Sequence, residues 1–341
     1  MVKRPARRSL LVAGAGGSFA AVSAALMLRG RPGAPGPAPS SAPPASSTSG
    51  AGTLRTDLAV RSRLLGRDVP YSLYLPAGAG TAPGSGVPGG RIPVLFLLHG
   101  ASGNHTDWVV KGGIVPTLDR AVVAGRIPSC ALVMPDARRD PGRPGGGQEE
   151  TFYINDAGSG GGALRYEDMF IEEFLPAVEQ AHGLGGRAEK RAVAGLSMGG
   201  YGALMYALRY PGLFGAAAGL STAHFTAEGY RAMPMGEWNR FFGHAFGRDL
   251  AGSARLTDRS KEYNLAATIR RTAPDRLRRT RYHLGCGTED VNYLPGTEDL
   301  HTAFSARGVG ADVLLQPGGH GWSYWSVAAE PMLAFVGRQL G

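Results

Sequence analysis

Six short apolar runs in this chain each end at a glycine, a proline or a polar residue, and helical patterns lie between them. The runs cover residues 93–98, 130–134, 191–194, 214–220, 282–284 and 313–315. They end respectively at His99-Gly100, Pro135-Asp136, Gly195-Leu196-Ser197, Ser221, Gly285-Cys286-Gly287 and Pro317-Gly318-Gly319-His320. Unbroken apolar runs of this length suit strands buried on both faces of a parallel sheet. Residues 166–181, 199–210 and 323–340 carry helical spacing and supply the layers that cover it. Strand and helix alternation predicts an α/β chain with a mostly parallel central sheet and helices on both faces. Residues 54–61 and 69–75 read as two additional early strands. Ligands of such sheets sit at the carboxyl ends of the strands. About 60 residues before Arg281 lack a strand pattern and contain Trp238, Phe241, Phe242 and Tyr263. They predict a helical cap insertion over those ends, at residues 222–280.

The termini and the charge belong to a different part of the argument. The first 53 residues hold Lys3, Arg4, Arg7, Arg8, Arg29 and Arg31 and no acid. They supply +6 of the net charge of +9, so the rest carries an ordinary +3. No nucleic-acid motif and no basic stripe interleaved with aromatics is present, so a nucleic-acid partner is not expected. Residues 1–29 read as an export signal: paired arginines precede Ser9-Leu10-Leu11 and an uncharged stretch of residues 10–28 follows. That pattern is twin-arginine-like, with a Sec signal or an uncleaved membrane anchor as alternatives. Residues 30–53 are rich in Pro, Ala, Ser and Gly and read as a linker. The folded domain then spans 54–341, and the expected place is outside the cell or at its surface. Six arginines, Arg270, Arg271, Arg276, Arg278, Arg279 and Arg281, read first as a solvated helix face, with contact to an anion as the second reading. Cys130 and Cys286 lack metal-ligand spacing, fall on separate strands, and predict neither a zinc site nor a disulfide.

The strand ends hold the chemistry. Gly195-Leu196-Ser197-Met198-Gly199-Gly200 joins an apolar strand to a small-residue helix, the context of a nucleophile elbow. Glycines two residues either side relieve crowding at a tight turn, and the helix N-terminus faces the reacting centre. A serine hydroxyl needs a base, and histidine is matched to neutral pH. Of eight histidines, His320 follows a late strand between flexible glycines. His99 also ends a strand but is better placed to shape a loop, and His283 lies inside a strand. An acid must orient the histidine, and Glu289 and Asp290 both follow the strand at 282–284, with Asp290 preferred. The order Ser197, Asp290, His320 is the one expected of this architecture. Backbone N–H groups of Met198 and Ala101 are the candidate oxyanion donors. Trp108, Trp238, Trp322 and Trp325 are candidates for a substrate pocket, or for ordinary packing.

With these residues assembled, the chain resembles the putative-esterase family of α/β-hydrolases, which includes S-formylglutathione hydrolases, feruloyl and acetylxylan esterases and mycolyltransferases. The likeness runs from about residue 54 to the C-terminus. It rests on Leu97-Leu98-His99-Gly100, Val133-Met134-Pro135-Asp136, Phe152-Tyr153-Ile154-Asn155-Asp156, Tyr166-Glu167-Asp168, the Gly195 to Gly200 block, Cys286-Gly287-Thr288-Glu289-Asp290 and Gly319-His320-Gly321-Trp322. The resemblance implies an α/β-hydrolase fold, hydrolysis of a carboxylic ester through an acyl-enzyme, and no cofactor or metal. It also supports Asp290 over Glu289, and a small-molecule or polysaccharide-linked ester as substrate. Transfer of the acyl group to a sugar or other alcohol uses the same intermediate and is the alternative. A binding protein on an inactive scaffold is a third reading, disfavoured by the complete set of candidate residues.

Overall fold

The computed structural model describes residues 52–77, 91–142, 149–158 and 163–340. The expected leader at 1–29 and nearly all of the linker at 30–53 lie outside the described residues. Eight strands form one sheet: β1 (Thr53–Ser62), β2 (Arg67–Leu75), β3 (Val94–Leu98), β4 (Ala131–Pro135), β5 (Arg191–Leu196), β6 (Ala216–Leu220), β7 (Arg281–Gly287) and β8 (Ala311–Gln316). Their order is β1-β2-β4-β3-β5-β6-β7-β8. The first two strands pair antiparallel, and β2 joins β4 antiparallel. Every pairing from β4 through β3 to β8 is parallel. The mostly parallel sheet expected from the apolar runs is present.

Strands β3, β4, β5 and β6 are buried along their whole length. Alternation sends their side chains into two separate cores. Val94, Phe96 and Leu98 join a layer with Phe170, Tyr206 and Phe304. Leu95 and Leu97 join the opposite layer with Ile114, Leu118, Met332 and Leu333. One face is therefore covered by helices Met198–Arg209 and Leu294–Ala306, the other by Ile114–Val123 and Trp322–Gly337.

Strand β7 is longer than its apolar run suggests. Gly285 and Gly287 read as a stop, yet β7 continues through both. Each glycine lets a neighbour in: a Cβ on Gly285 would lie 2.6 Å from the Leu220 side chain, and one on Gly287 would lie 2.1 Å from the Gly318 carbonyl oxygen. Close approach, rather than a turn, explains these glycines. The residues between β6 and β7 form only short helices, among them Ala227–Ala232, Met235–Trp238, Asp258–Glu262 and Leu265–Arg271. Thr226, Thr257 and Asn264 cap three of these by accepting a backbone N–H. Cys130 and Cys286 are free and buried, with β3, β5 and β6 lying between their strands.

The arginine cluster is partly engaged. Arg270 pairs with Asp299, Arg271 donates to the Lys261 and Glu262 carbonyls, and Arg278 donates to the Gly308 carbonyl.

The tightest approach sets a stability test. A Cβ on Gly195 would lie 2.3 Å from the Gly199 backbone, which cannot rotate away. Gly195→Ala should lower the unfolding free energy by about 1–3 kcal/mol or prevent folding. Urea denaturation measures this, and an unchanged midpoint contradicts the packing described.

Burial also sets an acid response. His105, His182, His224 and His283 are held below the usual imidazole range, burial being the main cause. His244 is pushed down to about 4, first by burial and then by the Arg139 charge. The unfolded chain therefore binds protons at higher pH than the folded chain, so stability must rise with pH across that window. Unfolding free energy should fall as pH drops from about 6.5 towards 4. Equal urea midpoints at pH 7 and pH 5 would contradict this.

Candidate active site

Ser197 stands between β5 and the helix Met198–Arg209. Its backbone is at φ 52 and ψ −119, a left-handed conformation that a side chain rarely adopts. Three backbone bonds hold it there. The Ser197 N–H donates to the Leu220 carbonyl at 2.8 Å, and the Ser197 carbonyl accepts from Tyr201 and Ala223, both at 3.0 Å. Glycines make the turn possible. A Cβ on Gly199 would lie 2.2 Å from the Leu98 carbonyl oxygen, so only glycine lets the helix start this close to β3.

His320 reaches the serine from the loop after β8. Its Nε2 lies 3.0 Å from Ser197 Oγ, and its Nδ1 lies 2.8 Å from Asp290 Oδ2. An ionised carboxylate only accepts, so Nδ1 carries the proton and Nε2 is left to accept from the serine hydroxyl. The Asp290 side chain is 1% exposed and that of His320 is 29% exposed, so one end of the chain is dry and the other meets solvent. Asp290 sits in a turn whose carbonyl accepts from the N–H groups of Tyr293 and Leu294. Glu289, the competing acid, is exposed at the surface, so the structure brings Asp290 and not Glu289 to the imidazole.

Ser221 is an informative contrast. It too ends a strand with positive φ, at 46°. Its hydroxyl, however, accepts from Trp325 Nε1 at 3.2 Å in a fully buried place.

The loop after β3 lies across from Ser197. Among the described residues, the N–H groups of Ala101 and Met198 donate to no protein acceptor. His99 fixes the plane that carries the Ala101 N–H. Its Nε2 accepts from the Ala137 N–H at 2.8 Å, so its Nδ1 carries the proton and donates to the Gly100 carbonyl at 2.8 Å. That carbonyl and the Ala101 N–H belong to one rigid peptide unit and point in opposite directions. His99 shapes the loop, and His283 is a core residue bonded to Asp312, in line with the roles expected of them.

The tryptophans separate into two groups. Trp108 and Trp238 are 1% and 0% exposed, and their ring N–H groups donate to the Leu98 and Gly247 carbonyls. They pack the core and the helical insertion, so their placement corrects the expectation that they line a pocket. Trp322 is partly buried, with its ring perpendicular to that of Trp108. Trp325 sets its ring at 84° to His320, with centroids 4.9 Å apart.

One neighbour was not foreseen. Tyr293 stacks on His320, with centroids 4.3 Å apart and planes 27° off parallel. It lies three residues after Asp290, so the turn that carries the acid also carries this ring. That spacing was the available signal. Burial, with the Asp290 charge adding to it, raises the Tyr293 phenol above its ordinary range, which keeps it neutral. Cys286 below the acid is pushed up to about 11, mainly by burial, and stays a thiol. Among the described residues, no three His, Cys, Asp or Glu side chains group as metal ligands.

The arrangement can pass a proton from a serine hydroxyl to a histidine whose charge a buried carboxylate then stabilises. Known proteins are similar to this chain. The family described as "Putative esterase" matches residues 62–336. An acetyl esterase of Caldicellulosiruptor saccharolyticus is 25% identical over 241 residues, which cover 69% of this chain and 80% of that protein. An endo-1,4-beta-xylanase/feruloyl esterase of Xylanibacter ruminicola is 31% identical over 156 residues, 45% of this chain but only 19% of that protein. A solved ferulic acid esterase superposes with a TM-score of 0.65 at 25% identity, covering 86% of this chain and 100% of its own. An S-formylglutathione hydrolase from Agrobacterium tumefaciens has a TM-score of 0.65 at 18% identity, over 87% and 99% of the two chains, and shares the fold. The chain therefore belongs to the putative esterase family, with the α/β-hydrolase fold and the activity class of a carboxylic ester hydrolase.

Proposed function

We propose that the chain is an exported serine esterase in which Ser197, His320 and Asp290 form a catalytic triad. The observation that carries the reading is the unbroken hydrogen-bonded chain from Asp290 through His320 to Ser197. Ser197 Oγ attacks the ester carbonyl while His320 Nε2 takes its proton. The imidazolium then protonates the departing alkoxide, leaving an acyl-enzyme and free alcohol. Water, activated by the same nitrogen, releases the acid and restores the serine. The partly exposed imidazole gives water a route to this step. Asp290 keeps the imidazole in the required tautomer and stabilises its charged form. The free N–H groups of Ala101 and Met198 would hold the oxyanion of both tetrahedral intermediates, with the start of the helix adding its dipole.

The relatives' names, acetyl esterase and ferulic acid esterase, support a small acyl or ferulic acid ester as the substrate class. Export is supported by the basic start and uncharged stretch at residues 1–29. Tyr293, stacked on the histidine, and Trp322, packed against Trp325, are the aromatic side chains proposed to meet the acyl or alcohol group.

Steady-state hydrolysis of aryl acetate and methyl ferulate tests the triad. Ser197→Ala and His320→Ala should each lower kcat by roughly 10⁴-fold or more, and Asp290→Asn by about 10⁴-fold. KM should change little. A folded Ser197→Ala variant with near-native kcat would refute the reading.

A further inference from the structure

The Ala101 N–H belongs to the peptide unit that His99 fixes, and a second peptide unit follows it. The N–H of Ser102 donates to Glu150 Oε1 at 2.9 Å. Ser102 Oγ reaches the same oxygen at 3.4 Å. Ser102 has a φ of 58°, a left-handed conformation that is unfavourable for a non-glycine residue. Something must hold it there. Glu150 is 4% exposed, and a buried carboxylate needs compensation. The guanidinium of Arg240 supplies it, donating to Glu150 Oε1 at 2.9 Å and touching Ser102 Oγ. The contact is reciprocal, because the Glu150 N–H donates to the Arg240 carbonyl at 2.9 Å. Arg240 comes from the helical segment between β6 and β7, 138 residues from Ser102 in sequence.

The connections close into a ring. Thr151 Oγ1 donates to the Ala137 carbonyl at 2.7 Å, and the Ala137 N–H donates to His99 Nε2. His99 returns to the Gly100 carbonyl. The residue between the two peptide planes, Ala101, is thus held from both sides.

We propose that Glu150 and Arg240 are positioning residues that aim the Ala101 N–H, so that the insertion between β6 and β7 helps to assemble the oxyanion site. This rests on the reading of Ala101 as an oxyanion donor. Neither side chain takes part in bond making. Their effect falls on the charged tetrahedral state and not on substrate binding, because a donor misaimed by a fraction of an ångström weakens only the developing oxyanion.

The test uses Glu150→Ala, Glu150→Gln, Arg240→Met and the Glu150→Ala/Arg240→Met double variant. Each is assayed for kcat, KM and affinity for an alkyl boronic acid, which adds to the serine as a tetrahedral anion. Glu150→Ala should lower kcat by roughly 10- to 100-fold, part of the ~10²–10³ expected from losing a donor outright. KM should stay within about threefold, and boronate affinity should fall with kcat. Glu150→Gln keeps an oxygen for the Ser102 N–H and should recover most of the rate. Arg240→Met should show a smaller loss of the same kind, and the double variant should be little worse than Glu150→Ala because both act through one contact.

A folded Glu150→Ala protein with kcat within about twofold of wild type, or a loss of kcat without loss of boronate affinity, overturns the proposal. If Glu150→Ala does not fold, Arg240→Met decides by the same two readouts, since its side chain is 40% exposed. Ser197→Ala run in parallel keeps the two readings apart. Activity surviving in it removes the esterase mechanism, whereas its loss beside unaffected Glu150 and Arg240 variants removes this inference alone.

Discussion

The site depends on how closely one helix is allowed to approach the sheet. Gly195 and Gly199 bring the start of the helix Met198–Arg209 to within backbone contact of β3 and β5. That closeness forces Ser197 into its left-handed conformation, and the bonds to Leu220, Tyr201 and Ala223 keep it there. A strained backbone persists only where its surroundings over-determine it. Here the result is a hydroxyl projected beyond the strand ends instead of folded into the core, with the first N–H groups of the helix left unpaired beside it.

Everything else converges on that hydroxyl from separate strand ends. Asp290 follows β7, His320 follows β8, and Ala101 follows β3. Parallel pairing lines these ends along one edge of the sheet, so residues 123 positions apart in sequence can share a hydrogen bond. Asp290 is buried and His320 is partly exposed, a gradient that suits each to its proposed task. The rings of Tyr293 and Trp325 both pack against the imidazole, one stacked on it and one perpendicular to it. The helical insertion between β6 and β7 does more than add bulk, since Arg240 carries a charged contact back to the loop after β3.

Much of this was legible in the residues. Buried parallel strands announce themselves as unbroken apolar runs, and β3 to β6 were visible for that reason. The elbow was visible because its glycines obey a steric rule. What escaped reading has a common cause. The continuation of β7 through Gly285 and Gly287 depends on what fills the space beside them, which spacing does not reveal. For Trp108 and Trp238 a pocket and ordinary packing were both open, because an aromatic ring has the same sequence signature in a core as in a cleft. Tyr293 lies three residues from Asp290, but its stack on His320 exists only once β7 and β8 lie side by side. The contact of Glu150 with Arg240 spans 90 residues and has no local pattern at all.

The most direct test of the central claim is chemical. The wild-type protein, treated with a fluorophosphonate and digested, should yield one modified peptide by mass spectrometry, with the added phosphonyl group on Ser197. His320→Ala should label far more slowly under the same conditions, because the hydroxyl would lack its base. A phosphonyl group found on any other residue of the active protein, or full activity after Ser197 has been modified, would contradict the account.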